Sequence, residues 1–115
     1  MFRLNIIPGQ LTLQDLRRIK HERTFVTLDA IANEKIKKAN ETILKIVEED
    51  QTVYGVNTGF GLLANKKIKK EDLEDLQRRI VLSHAAGTGE YIDNSTVRLM
   101  MILKVNSLSI GYSGI

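Results

Sequence analysis

The sequence predicts a mainly α-helical protein with short β-strands at its N-terminus. Three observations carry this. Several segments keep apolar residues at helical spacing, two short runs before Asp29 read as strands, and cap or breaker residues punctuate the segments in between. With 115 residues, the chain fits one domain with a modest core.

Residues 2–7 read as a strand ended by the turn pair Pro8-Gly9. Thr12 then caps a helix whose apolar positions are Leu13, Leu16 and Ile19, with Asp15 placed to complete a capping box. The run Thr24-Phe25-Val26-Thr27-Leu28 reads as a second strand, and Asp29 is suited to cap the next helix. From about Ala30 to Glu49, Ile36, Ala39, Ile43 and Val47 form one stripe, with Ala32 and Leu44 beside it and Lys or Glu opposite.

Gln51 to Ala64 has no periodicity and holds three of the eight glycines, so it reads either as a shaped loop or as a linker. Glu71 to about Leu82 is again amphipathic through Leu73, Leu76 and Ile80, with acids in its first turn. Ser83-His84-Ala85-Ala86-Gly87 carries it to a glycine stop. Asp93 or Asn94 caps a last helix, which is apolar on nearly all sides from Val97 to Leu108 and so is expected to be buried within something larger than 115 residues normally provide.

Composition removes several functions. There is no cysteine, which excludes disulfides and a cysteine nucleophile, and the spacing of His21 and His84 matches no metal motif. The apolar run at Met1–Gly9 is too short for a signal peptide, and Arg98 and Lys104 interrupt the best candidate for a membrane span. A soluble, cytoplasmic protein with no membrane partner is expected. The net charge of +3 is spread as basic groups alternating with acids, with no aromatic interleaving, so no nucleic-acid partner is expected either.

Gly59-Phe60-Gly61-Leu62-Leu63-Ala64 has the outline of a dinucleotide fingerprint, but helical patterns flank it instead of a βαβ unit. Tyr54 could be a base only where its phenolate is stabilised, since a phenol ordinarily ionises near pH ~10; a packing or surface role is the other reading. His84 could recognise a carboxylate or a ring nitrogen, or bond the last carbonyls of its helix. Ser83 beside it is not part of a triad, because no second histidine or acid is placed to orient one.

Taken together, Tyr54-Gly55-Val56-Asn57-Thr58-Gly59-Phe60-Gly61, Leu76-Gln77-Arg78, Leu82-Ser83-His84-Ala85-Ala86-Gly87-Thr88-Gly89, Val97-Arg98-Leu99 and Asn106-Ser107-Leu108 resemble the aromatic amino acid ammonia-lyases. The match is closest to the histidine-specific branch, and Tyr112-Ser113-Gly114-Ile115 continues it. The resemblance implies the N-terminal domain of the aspartase-like lyase fold: short strands, then long helices, ending before the central helical bundle. Residues 1–115 would be a single segment, with a base loop at about 51–64 and a substrate-recognition helix end at about 82–89.

Such enzymes eliminate ammonia from an amino acid, here L-histidine to give urocanate in histidine catabolism. They use an electrophilic methylidene-imidazolone, made from an internal Ala-Ser-Gly, and a tyrosine base. By resemblance Tyr54 is the catalytic base, Ser83 and His84 bind substrate, Gly55, Gly59 and Gly61 are loop hinges that let the loop close over the site, and Asn57 and Asn106 support them. A tyrosine or phenylalanine lyase or an aminomutase is the related alternative.

No Ala-Ser-Gly occurs in the 115 residues, so no cofactor is expected from this chain and methylidene-imidazolone is implied only for the complete enzyme, a homotetramer in this family. Alone, the chain is expected to be an inactive fragment. A reading of another class is a stand-alone helical interaction module that pairs through the 97–108 helix.

Overall fold

The computed structural model describes residues 1–114; Ile115, the last residue of the sequence match, lies outside them. The elements are β1 (Phe2–Ile6), α1 (Leu13–His21), β2 (Thr24–Leu28), α2 (Ile31–Glu48), α3 (Leu73–His84) and α4 (Asn94–Leu108). Short 3-10 turns lie at Gly61–Leu63 and Lys70–Asp72. The mainly helical fold with two short N-terminal strands is as the sequence implies. The chain divides into two compact units, one made of Met1–Glu41 with the residues from Tyr91 onward, the other of Thr42–Glu90.

In the first unit β1 and β2 pair in parallel, Phe2 opposite Thr24 and Ile6 opposite Leu28. Parallel strands need a crossover, and α1 supplies it. Thr12 starts α1 with the expected capping box: its hydroxyl accepts from the Asp15 amide, and the Asp15 carboxylate accepts from the Thr12 amide. That pair of bonds contributes about 1 kcal/mol. Asn5 donates to Asp29 at 2.6 Å and accepts from Thr27 at 3.0 Å, while Asp29 accepts from the Ile31 amide, so one polar chain joins both strands to the start of α2.

The buried apolar residues are Ile6, Ile19 and Ala32. Leu13, expected in the α1 stripe, is instead 73% exposed; it is the first residue of the helix. Along α2, Ile36, Ala39, Ile43 and Val47 are half-buried as expected, whereas Leu44 is exposed.

Two polar ties fix α4 in the first unit: Asn106 accepts from the Gly9 amide at 3.1 Å, and Arg98 donates to the Lys20 carbonyl at 3.1 Å. The sequence left Asp93 and Asn94 as alternative caps, and the cap is Asp93, which accepts from the Ser95 and Thr96 amides. The 115 residues alone do not bury α4 all round, in line with the reading that its burial needs more than they provide. Leu99 and Ile102 are covered, but Met100, Met101, Leu103 and Val105 are exposed, because α1 covers one side only. The chain then passes tightly over α2 at Gly111, where a Cβ would lie 2.8 Å from Lys35 backbone.

Candidate functional site

Tyr54, the loop glycines, Asn57, Ser83 and His84 all lie in the second unit, whereas Asn106, expected to support them, lies in the first. α2 ends with Asp50 at φ 57°, a left-handed conformation usually filled by glycine. The Asp50 amide bonds the Val47 carbonyl and the Gln51 amide bonds the Ile46 carbonyl, which is the Schellman pattern of a helix stop. Lys67 lies across this stop: its Nζ donates to the Asp50 carbonyl at 2.6 Å and pairs with the Asp50 carboxylate at 2.5 Å. Both residues were read from sequence as ordinary surface charge.

The segment after Asp50 is a built loop, which settles the choice the sequence left open. Asn57 is 3% exposed; its Oδ1 accepts from the Val53 amide at 2.9 Å and its Nδ2 donates to the Gln51 carbonyl at 2.6 Å. The Val56 and Asn57 amides both bond the Val53 carbonyl, so Tyr54 and Gly55 sit at the tip of a tight turn. Gly55 has φ 80° there, a value that penalises any Cβ, and Gly61 has φ 56°. Gly59 is needed for another reason: a Cβ on it would lie 2.7 Å from the Leu63 Cβ and carbonyl oxygen.

The return path is fixed as well. The Gly59 amide bonds the Lys66 carbonyl, the Ile68 amide bonds the Asn57 carbonyl, and Thr58 pairs with Lys67 in an antiparallel bridge. The outcome is a loop whose neck is closed and hydrogen-bonded while its tip faces solvent. Tyr54 is 64% exposed, with its ring edge-on to Phe60 at a centroid distance of 5.8 Å.

α3 carries the second part of the site. Leu73, Leu76 and Ile80 are half-buried on one face, and the helix ends at His84. The glycine stop expected at Gly87 is not the one used. Ala85 caps the helix at φ −80° with its amide on the Val81 carbonyl, and side chains take the place of a glycine. The Ser83 hydroxyl donates to the Ile80 carbonyl at 3.0 Å, and His84 Nδ1 lies 2.7 Å from the same oxygen.

A carbonyl oxygen can only accept, so the contact at 2.7 Å assigns the proton to His84 Nδ1. Ser83 Oγ, 3.2 Å from Nδ1, reinforces the ring's orientation. The neutral ring is left with Nε2 as a hydrogen-bond acceptor, on an exposed side chain. The two sequence readings of His84 are thus compatible, since bonding the helix carbonyl fixes the ring without using Nε2. Ser83 and His84 are brought together, while Tyr54 packs on Phe60 in a separate cluster.

Among the described residues no group of three or more His, Cys, Asp or Glu could hold a metal, and no helix is long and apolar enough to cross a membrane.

Comparison with known proteins gives a consistent result. The family model for the aromatic amino acid lyases matches residues 11–115. The chain is 56% identical to a histidine ammonia-lyase of Aliivibrio fischeri (strain MJ11) over 115 residues, all of this chain and 22% of that protein. It is similar to the crystal structure of histidine ammonia-lyase from Trypanosoma cruzi, with TM-score 0.80 and 38% identity over 91% of this chain and 20% of that one. It is also similar to the tyrosine aminomutase from Streptomyces globisporus, with TM-score 0.84 and 31% identity over 91% of this chain and 20% of that one. The chain therefore spans about 22% of the length of the curated relatives it matches.

Proposed function

The chain belongs to the aromatic amino acid lyase family, and on that premise we propose that it supplies the base and part of the substrate recognition of an enzyme that eliminates ammonia from L-histidine to give urocanate. The observation that carries the substrate is the identity to a histidine ammonia-lyase along all 115 residues, which exceeds the identity to the tyrosine aminomutase.

Tyr54 is the base in this reading. It takes the β-proton of the substrate from the tip of a loop whose neck is fixed, so the phenol can approach without the loop having to fold at each turnover. Its ring neighbour is the hydrocarbon ring of Phe60. The positive charge that a phenolate needs at neutral pH comes from outside this cluster. His84 Nε2 accepts from the imidazole N–H of the substrate, with the ring oriented by Ser83 and the Ile80 carbonyl.

The 115 residues contain no Ala-Ser-Gly and so do not fit the methylidene-imidazolone group; what they contribute is proton transfer and recognition. The electrophile comes from elsewhere in the complete enzyme, and the exposed Met100, Met101, Leu103 and Val105 of α4 are consistent with further protein packed there, as in a tetramer.

Ultraviolet assay of urocanate formation tests the division of labour. The complete enzyme should convert L-histidine, and the purified 115-residue chain should not. Urocanate production by the short chain would overturn the assignment of the electrophile to other residues.

A further inference from the structure

Asp50 occupies the left-handed position that ends α2, where glycine carries no steric penalty and a β-substituted residue does. An aspartate there makes physical sense if its carboxylate is used, and one ligand holds it: the Lys67 ammonium, bonded to both the carbonyl and the carboxylate of Asp50. Lys67 is also where the returning arm of the loop pairs with Thr58, which is 1% exposed. One side chain thus joins Asp50, two residues past the end of α2, to the far arm of the loop and closes the neck below Tyr54.

We propose that Lys67 is a positioning residue: its ammonium, on the Asp50 carbonyl and carboxylate, holds the two arms of the Tyr54 loop together at the neck. The link to catalysis rests on the reading of Tyr54 as the base; closure of the neck does not.

The inner ladder provides the observable. The amides of Gly59 and Ile68 are hydrogen-bonded across the neck, to the Lys66 and Asn57 carbonyls, and report its opening. Hydrogen exchange of the 115-residue chain, followed by NMR, needs no substrate, so its result is independent of whether the chain serves a lyase.

Lys67→Met, which keeps the length of the side chain and removes its charge, should raise exchange at these amides about two- to fivefold, the size expected for an ion pair whose carboxylate is exposed. Exchange in α1 should be unchanged, and Lys67→Arg should restore protection. Asp50→Gly separates closure from general stability. It suits the left-handed backbone and keeps only the carbonyl partner of Lys67, so the melting temperature should hold or rise while exchange at Gly59 and Ile68 increases by less than in Lys67→Met. Unchanged exchange at Gly59 and Ile68 in Lys67→Met, or a larger increase in Asp50→Gly than in Lys67→Met, would overturn the proposal; if Lys67→Met fails to fold, unchanged exchange at these amides in Lys67→Gln, too short to span both Asp50 oxygens and uncharged, overturns it.

Discussion

Asn57 uses one side-chain amide both to accept from the Val53 amide and to donate to the Gln51 carbonyl, with almost no access to water. Truncating it leaves both backbone groups without their partner inside the loop, and a buried polar group so orphaned costs about 1–3 kcal/mol. Asn57→Ala should therefore lower the stability of the purified chain by that amount in urea denaturation. Asn57→Asp should be no better, because a carboxylate cannot donate to the Gln51 carbonyl and is poorly tolerated where water is excluded. A loss below about 0.5 kcal/mol for both would mean that the turn holds itself. From sequence, Asn57 is one residue of a glycine-rich stretch, and only the resemblance set it apart. Its function depends on which backbone groups the turn brings within reach of one amide, and that is not a property of composition or spacing.

The helices show where sequence is informative and where it stops. Caps that act within three residues could be read directly: Thr12 with Asp15, and Asp29 ahead of α2. Helix ends were harder. α2 stops on an aspartate and α3 on a serine and a histidine that bond back to Ile80, so neither uses the glycine that a C-terminal signal relies on.

The caps also set an acid response. The hydroxyls of Ser95 and Thr96, and then backbone amides, hold the Asp93 carboxyl well below its ordinary value of 3.8. The Thr12 hydroxyl and then its amide lower Asp15 in the same way. The Ile31 amide and then the Asn5 side chain lower Asp29. A folded pKa below the unfolded one gives stabilisation that is complete above the ordinary carboxylate value and is lost as pH falls through the folded value. Circular dichroism should show helix loss steepening below about pH 4, and Asp93→Asn, which keeps a capping oxygen without the charge, should flatten that loss. Superimposable acid titrations of the variant and the wild type would remove Asp93 as a source.

Taken over the chain, fold class and element order were readable because apolar spacing and short-range caps determine them. The extent of burial was readable only in part: Leu13 of the α1 stripe is exposed, while the almost uniformly apolar α4 reads as a helix enclosed by more than 115 residues provide, and here it has α1 on one side with Met100, Met101, Leu103 and Val105 exposed. Enclosure depends on what else is packed nearby, which one helix's sequence cannot state. The candidate site follows the same division: Tyr54 and Ser83-His84 stood out through the family motifs, whereas the Lys67–Asp50 closure required the fold.

The central claim, that Tyr54 is the base of a histidine-deaminating lyase, is tested most directly by kcat and KM for urocanate formation in the complete enzyme carrying Tyr54→Phe. Loss of a positioned general base predicts a fall in kcat of about 10²- to 10⁴-fold with KM nearly unchanged. A variant that turns over L-histidine at the wild-type rate would contradict it.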